Sequence, residues 1–298
     1  MTTSHRQGRR ALPLLILLSA VLMLAMPAVG AAQDGPWQFG STPSFSSGTY
    51  GTGTRTDVLY TPITARRLFQ DGDLTFVFPF TCIWGNGGVT VVNGSPVRTQ
   101  QNAGRTAASS GTGRGTGNDS LRPGAGALAG KVTNCGTGDI VVRGRYYALD
   151  ERGWAPTIAI RAHIKTPTAN ADRGLGTGRP DEGVGVEISR TFAGGVLAMV
   201  DGGYTVIGKP EGVDFNNNWW YDVGIGQDIV HRAKGAVNLS VFFEEYRAIV
   251  PGLANARDVL AAVSLTGASG WRIQVSGQFG LSDGAPDHGV TFGASRRF

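Results

Sequence analysis

Apolar and polar residues alternate with a period of two over much of this chain. Successive side chains of a β-strand point to opposite faces, so this period gives each strand one apolar and one polar face. The pattern is clearest in four segments, Leu74–Phe80, Ile140–Tyr146, Ile158–Ile164 and Ile273–Phe279. The alternation therefore predicts an all-β fold.

Three features favour a transmembrane antiparallel β-barrel over a soluble β-sandwich. The predicted strands run for about ten to fourteen residues, whereas strands of soluble proteins average about five or six. Charged side chains such as Arg143 and Arg161 lie in mid-strand, on the face opposite the apolar one. The chain also ends on Phe298, with Val290 and Phe292 in phase with it. This terminal aromatic residue resembles the recognition signal of outer-membrane barrels, so we expect the barrel-assembly machinery as a partner.

Short and long connections alternate between the predicted strands. The short connections are Gln70–Gly72, Glu151–Gly153, Ala193–Gly195, Arg232–Gly235 and Ala268–Gly270. The connections between them are mostly longer: Gly85–Gly136, Ala169–Glu182, Gly208–Asn216, Val250–Asn255 and Gly284–Asp287. Bacterial barrels have short periplasmic turns and long extracellular loops, so with Trp37–Phe45 as the first strand the chain predicts about twelve strands. The Gly-rich residues 94–136 are predicted to form a long external loop.

The N-terminus has the layout of an export signal. A basic region with Arg6, Arg9 and Arg10 precedes the apolar run Ala11–Met26, and small residues follow around Ala28–Ala32. This predicts a signal peptide over residues 1–32 and a barrel over residues 33–298, with a retained membrane anchor as the alternative. Removing residues 1–32 lowers the formal net charge from +5 to +2, because it takes away three Arg and no acidic residue. The charge therefore predicts no nucleic-acid partner.

The two cysteines, Cys82 and Cys135, are predicted to lie near the same lip of the barrel. Export through the periplasm permits oxidation, so a disulfide could clamp the base of the long loop. The alternative is two unpaired thiols, because Cys82 shares the parity of the lipid-facing Phe residues.

Motifs for catalysis or cofactor binding are weak. The run Gly174–Gly178 has a phosphate-loop composition, but it lies between predicted strands and opens no helix, which favours a tight surface loop. His288 neighbours Asp287 at the predicted outer rim, without a recognisable nucleophile. No His/Cys cluster suggests a metal, and no cofactor is predicted.

Ten charged residues point into the lumen by parity. They are Arg143, Arg145, Arg161, His163, Lys165, Glu187, Asp201, Asp222, Asp228 and Glu244. The basic members lie on two neighbouring strands and the acidic members on the following four, so opposite charges occupy different sectors of the wall. Two readings remain open. The residues could form ion pairs, such as Arg161 with Glu187, that make a polar interior tolerable, or a polarised pore that orients or selects a solute.

Four local patterns carry a family resemblance. They are Thr56-Asp57-Val58 leading into Tyr60 and Pro62, Gly138-Asp139 opening a strand that continues to Arg145-Tyr146, Lys165-Thr166-Pro167-Thr168 followed by Gly174–Gly178 and Asp181, and Glu244 late in a strand. Together they resemble a family of outer-membrane transporters named for the meta-cleavage pathway of phenol degradation. The resemblance implies a barrel that takes up small, poorly water-soluble compounds.

The leading hypothesis is therefore a passive channel or transporter for small, hydrophobic or aromatic compounds in the outer membrane of a Gram-negative bacterium, without catalysis. Its expected partners are outer-membrane lipid and the solute. One rival is an outer-membrane enzyme acting at the rim, with Asp287 and His288 as candidates. Another is a structural or adhesive barrel whose lumen is blocked and whose long loop binds a partner.

Overall fold

The computed structural model describes residues 35–92, 94–98, 132–211, 213–232 and 235–298. Their strands are β1 (Trp37–Ser41), β2 (Ser44–Gly48), β3 (Thr56–Phe69), β4 (Gly72–Gly85), β5 (Val89–Val92), β6 (Ser95–Arg98), β7 (Val132–Thr137), β8 (Val141–Leu149), β9 (Thr157–Lys165), β10 (Asp181–Phe192), β11 (Val196–Val206), β12 (Asn218–Arg232), β13 (Gly235–Tyr246), β14 (Ala256–Gly267), β15 (Trp271–Gly280) and β16 (His288–Arg297). A single turn of 3-10 helix spans Ala171–Arg173. No helix in these ranges is long and apolar enough to cross a membrane.

All strands except the β5–β6 hairpin belong to one closed antiparallel sheet. Each strand from β8 to β16 pairs with the next, and β16 closes the sheet by pairing with both β1 and β2. The pieces β1 and β2 form one wall strand, interrupted at Thr42 and Pro43, and β7 and β8 form another. The wall therefore has twelve strands, which confirms the predicted antiparallel barrel.

The outward face of the wall is apolar across its middle. Side chains such as Val186, Ile225 and Val263 are exposed there, while their strand neighbours turn inward. Large aromatic residues are exposed towards the short-turn end: Trp37, Phe69, Tyr146, Trp154 and Phe192. An apolar band with aromatic residues at its edge is the pattern of barrels that sit in lipid.

Among the described residues, short turns join β3 to β4, β10 to β11 and β14 to β15 where the sequence predicts them. The turn after β10 is a clear case, because Gly194 and Gly195 have φ values of +83° and +77°. A residue with a side chain rarely adopts this left-handed conformation, so glycine permits the tight reversal. In bacterial barrels, short turns are typical of the periplasmic end and long loops of the extracellular end.

The β5–β6 hairpin lies across the long-loop end of the lumen. Val89 and Val91 of β5 pack in one apolar cluster with Val58 and Ile83 from the barrel wall. On the opposite side the hairpin contacts a second apolar cluster, formed by Val92, Ile207, Val213, Phe215, Ile249 and Val250 with Val97 packed against it. The hairpin thus packs against two sides of the barrel mouth.

The predicted loop over residues 94–136 is wrong at both of its ends. Residues 95–98 form the second strand of the hairpin, and residues 132–137 form β7, which extends the wall beside β4. The rest of this loop and the predicted signal peptide, residues 1–32, lie outside the described residues. Cys82 and Cys135 face each other in the β4–β7 register and form a disulfide at the base of this segment.

Candidate functional site

A cavity of about 340 Å³ lies in the lumen between the hairpin and the barrel wall. Its roof includes Gly94 to Val97 of the hairpin. Its charged and titratable lining residues are Arg143, Arg161, His163, Asp222, Glu244 and Asp258. The basic groups come from β8 and β9 and the acidic groups from β12, β13 and β14, so the cavity is electrostatically polarised.

Glycines on β10 and β11 make room for an aromatic wall in this cavity. A Cβ atom at Gly203 would lie 2.7 Å from Cζ2 of Trp220, and one at Gly185 would lie 3.1 Å from the same atom. The indole therefore lies close against the backbone of the wall. The Arg161 guanidinium sits over this ring, with its Cζ 5.4 Å from the ring centroid, in a cation–π contact.

Part of the predicted charged set forms ion pairs in the wall. Arg161 Nη1 contacts Asp201 Oδ2 and lies 4.0 Å from Glu187 Oε2. Arg145 Nη2 lies 3.0 Å from the same Glu187 oxygen. Asp201 and Glu187 are buried, so these pairs compensate carboxylates that water does not reach.

Lys165 does not face the open lumen, contrary to the sequence interpretation. It is fully buried, with its Nζ 2.7 Å from Asp181 Oδ2 and 3.4 Å from Asp139 Oδ2, and it donates to Thr177 Oγ1 at 2.8 Å. The backbone N–H of Ala169 donates to Asp139 as well. Parity placed Lys165 on the correct face, but the folded-over loop 166–180 covers it.

Two other predicted lumen residues lie apart from one another. His163 lines the cavity, and its Nε2 lies 3.4 Å from Thr205 Oγ1. Asp228 is exposed near the short-turn end, where the β12–β13 register shifts, and it accepts a hydrogen bond from Asn238 at 3.1 Å. It is not part of the cavity lining.

The loop with the Gly-Leu-Gly-Thr-Gly run is a packed surface loop. Gly174 and Gly178 have φ values of +69° and +70°, and Leu175 is buried in the cluster beneath the hairpin. The hydroxyl of Thr90 in β5 donates to the Gly174 carbonyl. The loop thus holds the hairpin in place. Tyr50 packs in the same cluster, and burial raises the pKa of its phenol above the usual value.

The rim residues Asp287 and His288 show no catalytic pairing. Asp287 lies 3.6 Å from Arg55 in an exposed ion pair. Ser47 is the register partner of His288, but its hydroxyl donates to Asp57 Oδ1 at 2.5 Å. The hydroxyl opposite the imidazole is therefore committed to a carboxylate.

Three features of the site were not predicted from the sequence. Asp258 and Trp220 line the cavity, and the hairpin covers it. Parity alone places Asp258 and Trp220 on the inner face, but only the strand register shows which inner residues stand side by side. The hairpin strands are four residues each, and β5 is buried at every position while β6 is half-buried at every position, so neither shows an alternation of buried and exposed residues.

The closed antiparallel wall, its apolar outer face and its polar interior define a transmembrane antiparallel β-barrel. Comparison with solved structures agrees. An outer-membrane channel from Pseudomonas putida F1 matches with a TM-score of 0.54 and 11% sequence identity, over 92% of this chain and 100% of that one.

Two further matches are the β domain of the Bordetella autotransporter BrkA and the P. putida toluene transporter TodX. The first has a TM-score of 0.48 at 11% identity, over 89% of this chain and 100% of that one. The second has a TM-score of 0.43 at 12% identity, over 90% of this chain and 81% of that one. No protein-family model and no curated protein sequence matches the chain.

Proposed function

We propose that this protein is a passive outer-membrane channel for small hydrophobic or aromatic compounds. The observation that carries the proposal is the lumen cavity of about 340 Å³, enclosed by the wall and roofed by a small apolar hairpin. This volume is near the lower end of the range for small-molecule sites, about 300–1,000 Å³.

The mouth and the cavity together favour a solute with an apolar body. Val92 and Val97 of the hairpin and Ile207 and Ile249 of the loops line the cavity, so part of its surface is apolar. The cavity beneath presents Trp220 and Tyr246 together with charged groups. Such a lining suits a small aromatic compound that carries a polar group.

The outer surface and the last strand indicate two further binding partners of the protein. The apolar outer face would contact outer-membrane lipid, and β16, followed by Phe298, would engage the barrel-assembly machinery of a Gram-negative bacterium. Neither role requires catalysis or a cofactor.

Uptake by intact cells tests the channel function. Porin-deficient Gram-negative cells that express the protein should take up benzyl alcohol faster than cells without it. The initial rate should rise in proportion to the external concentration and should not change when an uncoupler removes the proton gradient, because the route is passive. The measurement is the initial uptake of radiolabelled solute.

Equal uptake with and without the folded protein would contradict the channel function. That result would favour the blocked-barrel rival, because the hairpin would then be a permanent closure. Envelope fractions and the heat-dependent electrophoretic mobility of the barrel control for expression and folding.

A further inference from the structure

The strand register places five carboxylates side by side on the lumen face of β10 to β14. Each is the register partner of the next, in the order Glu187, Asp201, Asp222, Glu244 and Asp258. Like charges directly opposite each other destabilise a sheet. A row of this kind therefore needs positive charge close to it.

The close ion pairs lie at one end of the row. Arg145 and Arg161 contact Glu187 and Asp201, as described above. Within the described part of the chain, Asp222, Glu244 and Asp258 lie in no ion pair with Lys, Arg or His. These three carboxylates line the cavity.

Three carboxylates of the row have an oxygen without a hydrogen-bond partner among the described residues: Asp201, Asp222 and Asp258. Asp201 is in an ion pair with Arg161, whereas the other two are in none within the described part of the chain. Asp258 is 3% exposed and takes a hydrogen bond from Gln278, yet its Oδ1 is buried with no partner. Asp222 Oδ1 is in the same situation. An unpartnered buried carboxylate oxygen is costly, so this end of the cavity is built for a donor that the described chain does not provide.

The surroundings of the row indicate the chemical class of that donor. No group of three or more His, Cys, Asp or Glu in the described residues is arranged to hold a metal ion. Trp220 and Tyr246 are register partners and line the same cavity, so aromatic surface stands next to the carboxylates. The Arg161 guanidinium on Trp220 shows that this surface already accommodates a cation.

We propose that the cavity binds small arylalkylamines in their protonated form, with the ammonium group among Asp222, Glu244 and Asp258. The aromatic body of the solute then lies against Trp220 and Tyr246. This inference rests on the proposed channel function, and it names the class of solute that the channel favours.

Calorimetric titration of the folded, detergent-solubilised mature chain tests the site. The probes are phenethylammonium, the neutral phenethyl alcohol and the anionic hydrocinnamate, which share an aromatic body. We expect phenethylammonium to bind most tightly. Glu244→Gln and Asp258→Asn should each weaken its affinity about tenfold, because each removes one charge that contacts the ammonium group.

Glu245→Gln is the matched control. Glu245 neighbours Glu244 but faces the other side of β13, where its Oε1 lies 3.1 Å from Arg257 Nε. Its replacement should leave phenethylammonium affinity unchanged. Glu244→Gln should fold normally, because it removes repulsion from the row, and heat-dependent electrophoretic mobility checks this.

Equal affinity for all three probes, or full phenethylammonium affinity in folded Glu244→Gln, would overturn the amine site. The result is independent of the uptake test. Benzyl alcohol uptake without phenethylammonium binding would remove the amine site and leave the channel. Phenethylammonium binding without benzyl alcohol uptake would leave the amine site and remove the channel function.

Discussion

A chain in which a two-residue Asn-Gly turn replaces residues 86–131 should form a wider channel than the wild type. Gly85 and Val132 are register partners at the ends of β4 and β7, so a tight turn can join them and keep the wall intact. The replacement removes the β5–β6 hairpin and with it both apolar contacts across the mouth. Single-channel conductance in planar bilayers should rise several-fold.

The control removes the rest of the same segment and keeps the hairpin. Replacing residues 99–131 with a flexible Gly-Ser linker leaves β5, β6 and the Cys82–Cys135 disulfide in place. Its conductance should equal that of the wild type. If the chain without the hairpin also conducts like the wild type, the hairpin is not the closure of the mouth.

Lys165→Met should destabilise the barrel by about 3–5 kcal/mol, the cost of leaving a buried charge without its partner. The substitution keeps the length of the side chain but leaves Asp139 and Asp181 facing each other without a cation. The loop 166–180 should also become less ordered, because Thr177 accepts a hydrogen bond from Lys165 and the Ala169 N–H donates to Asp139. Urea unfolding in detergent measures the change.

Lys209→Met is the matched control for this substitution. Lys209 Nζ lies 3.4 Å from Asp214 Oδ1, but both side chains are largely exposed. An exposed ion pair contributes less than about 1 kcal/mol, so unfolding should hardly change. Equal unfolding curves for the two variants would show that the buried Lys165 cluster does not hold the loop.

The wall of the barrel could be predicted from the sequence because lipid and lumen impose opposite chemistry on its two faces. Segments such as Ile158–Ile164 record that difference residue by residue, and the loop lengths then give the strand count. The breaks in the wall carry a weaker signal. Pro43 has no N–H to donate to a neighbouring strand, and this property can be read from the sequence. The break between β7 and β8, in contrast, depends on the loop that fills it: Ile140 N–H donates to Thr168.

The site was only partly predictable, because parity gives a side chain's face but neither its depth nor its neighbours. Lys165 has the parity of a lumen residue, yet the 166–180 loop buries it in a structural cluster. The Lys-Thr-Pro pattern and Asp181 therefore have a structural explanation in this chain. Asp258 has the same parity as many inner residues, and only the β13–β14 register places it next to Glu244.

The most direct test of the account is whether solute passes through the lumen. Ala256 lines the cavity, whereas Ala261 on the same strand faces outward. Because the two native cysteines are joined in a disulfide, Ala256→Cys and Ala261→Cys each add a single reactive thiol. Benzyl alcohol uptake is measured in porin-deficient cells before and after labelling with a bulky methanethiosulfonate. Labelling should abolish the protein-dependent uptake through Ala256→Cys and leave uptake through Ala261→Cys unchanged. Unchanged uptake through fully labelled Ala256→Cys would contradict a route through the cavity.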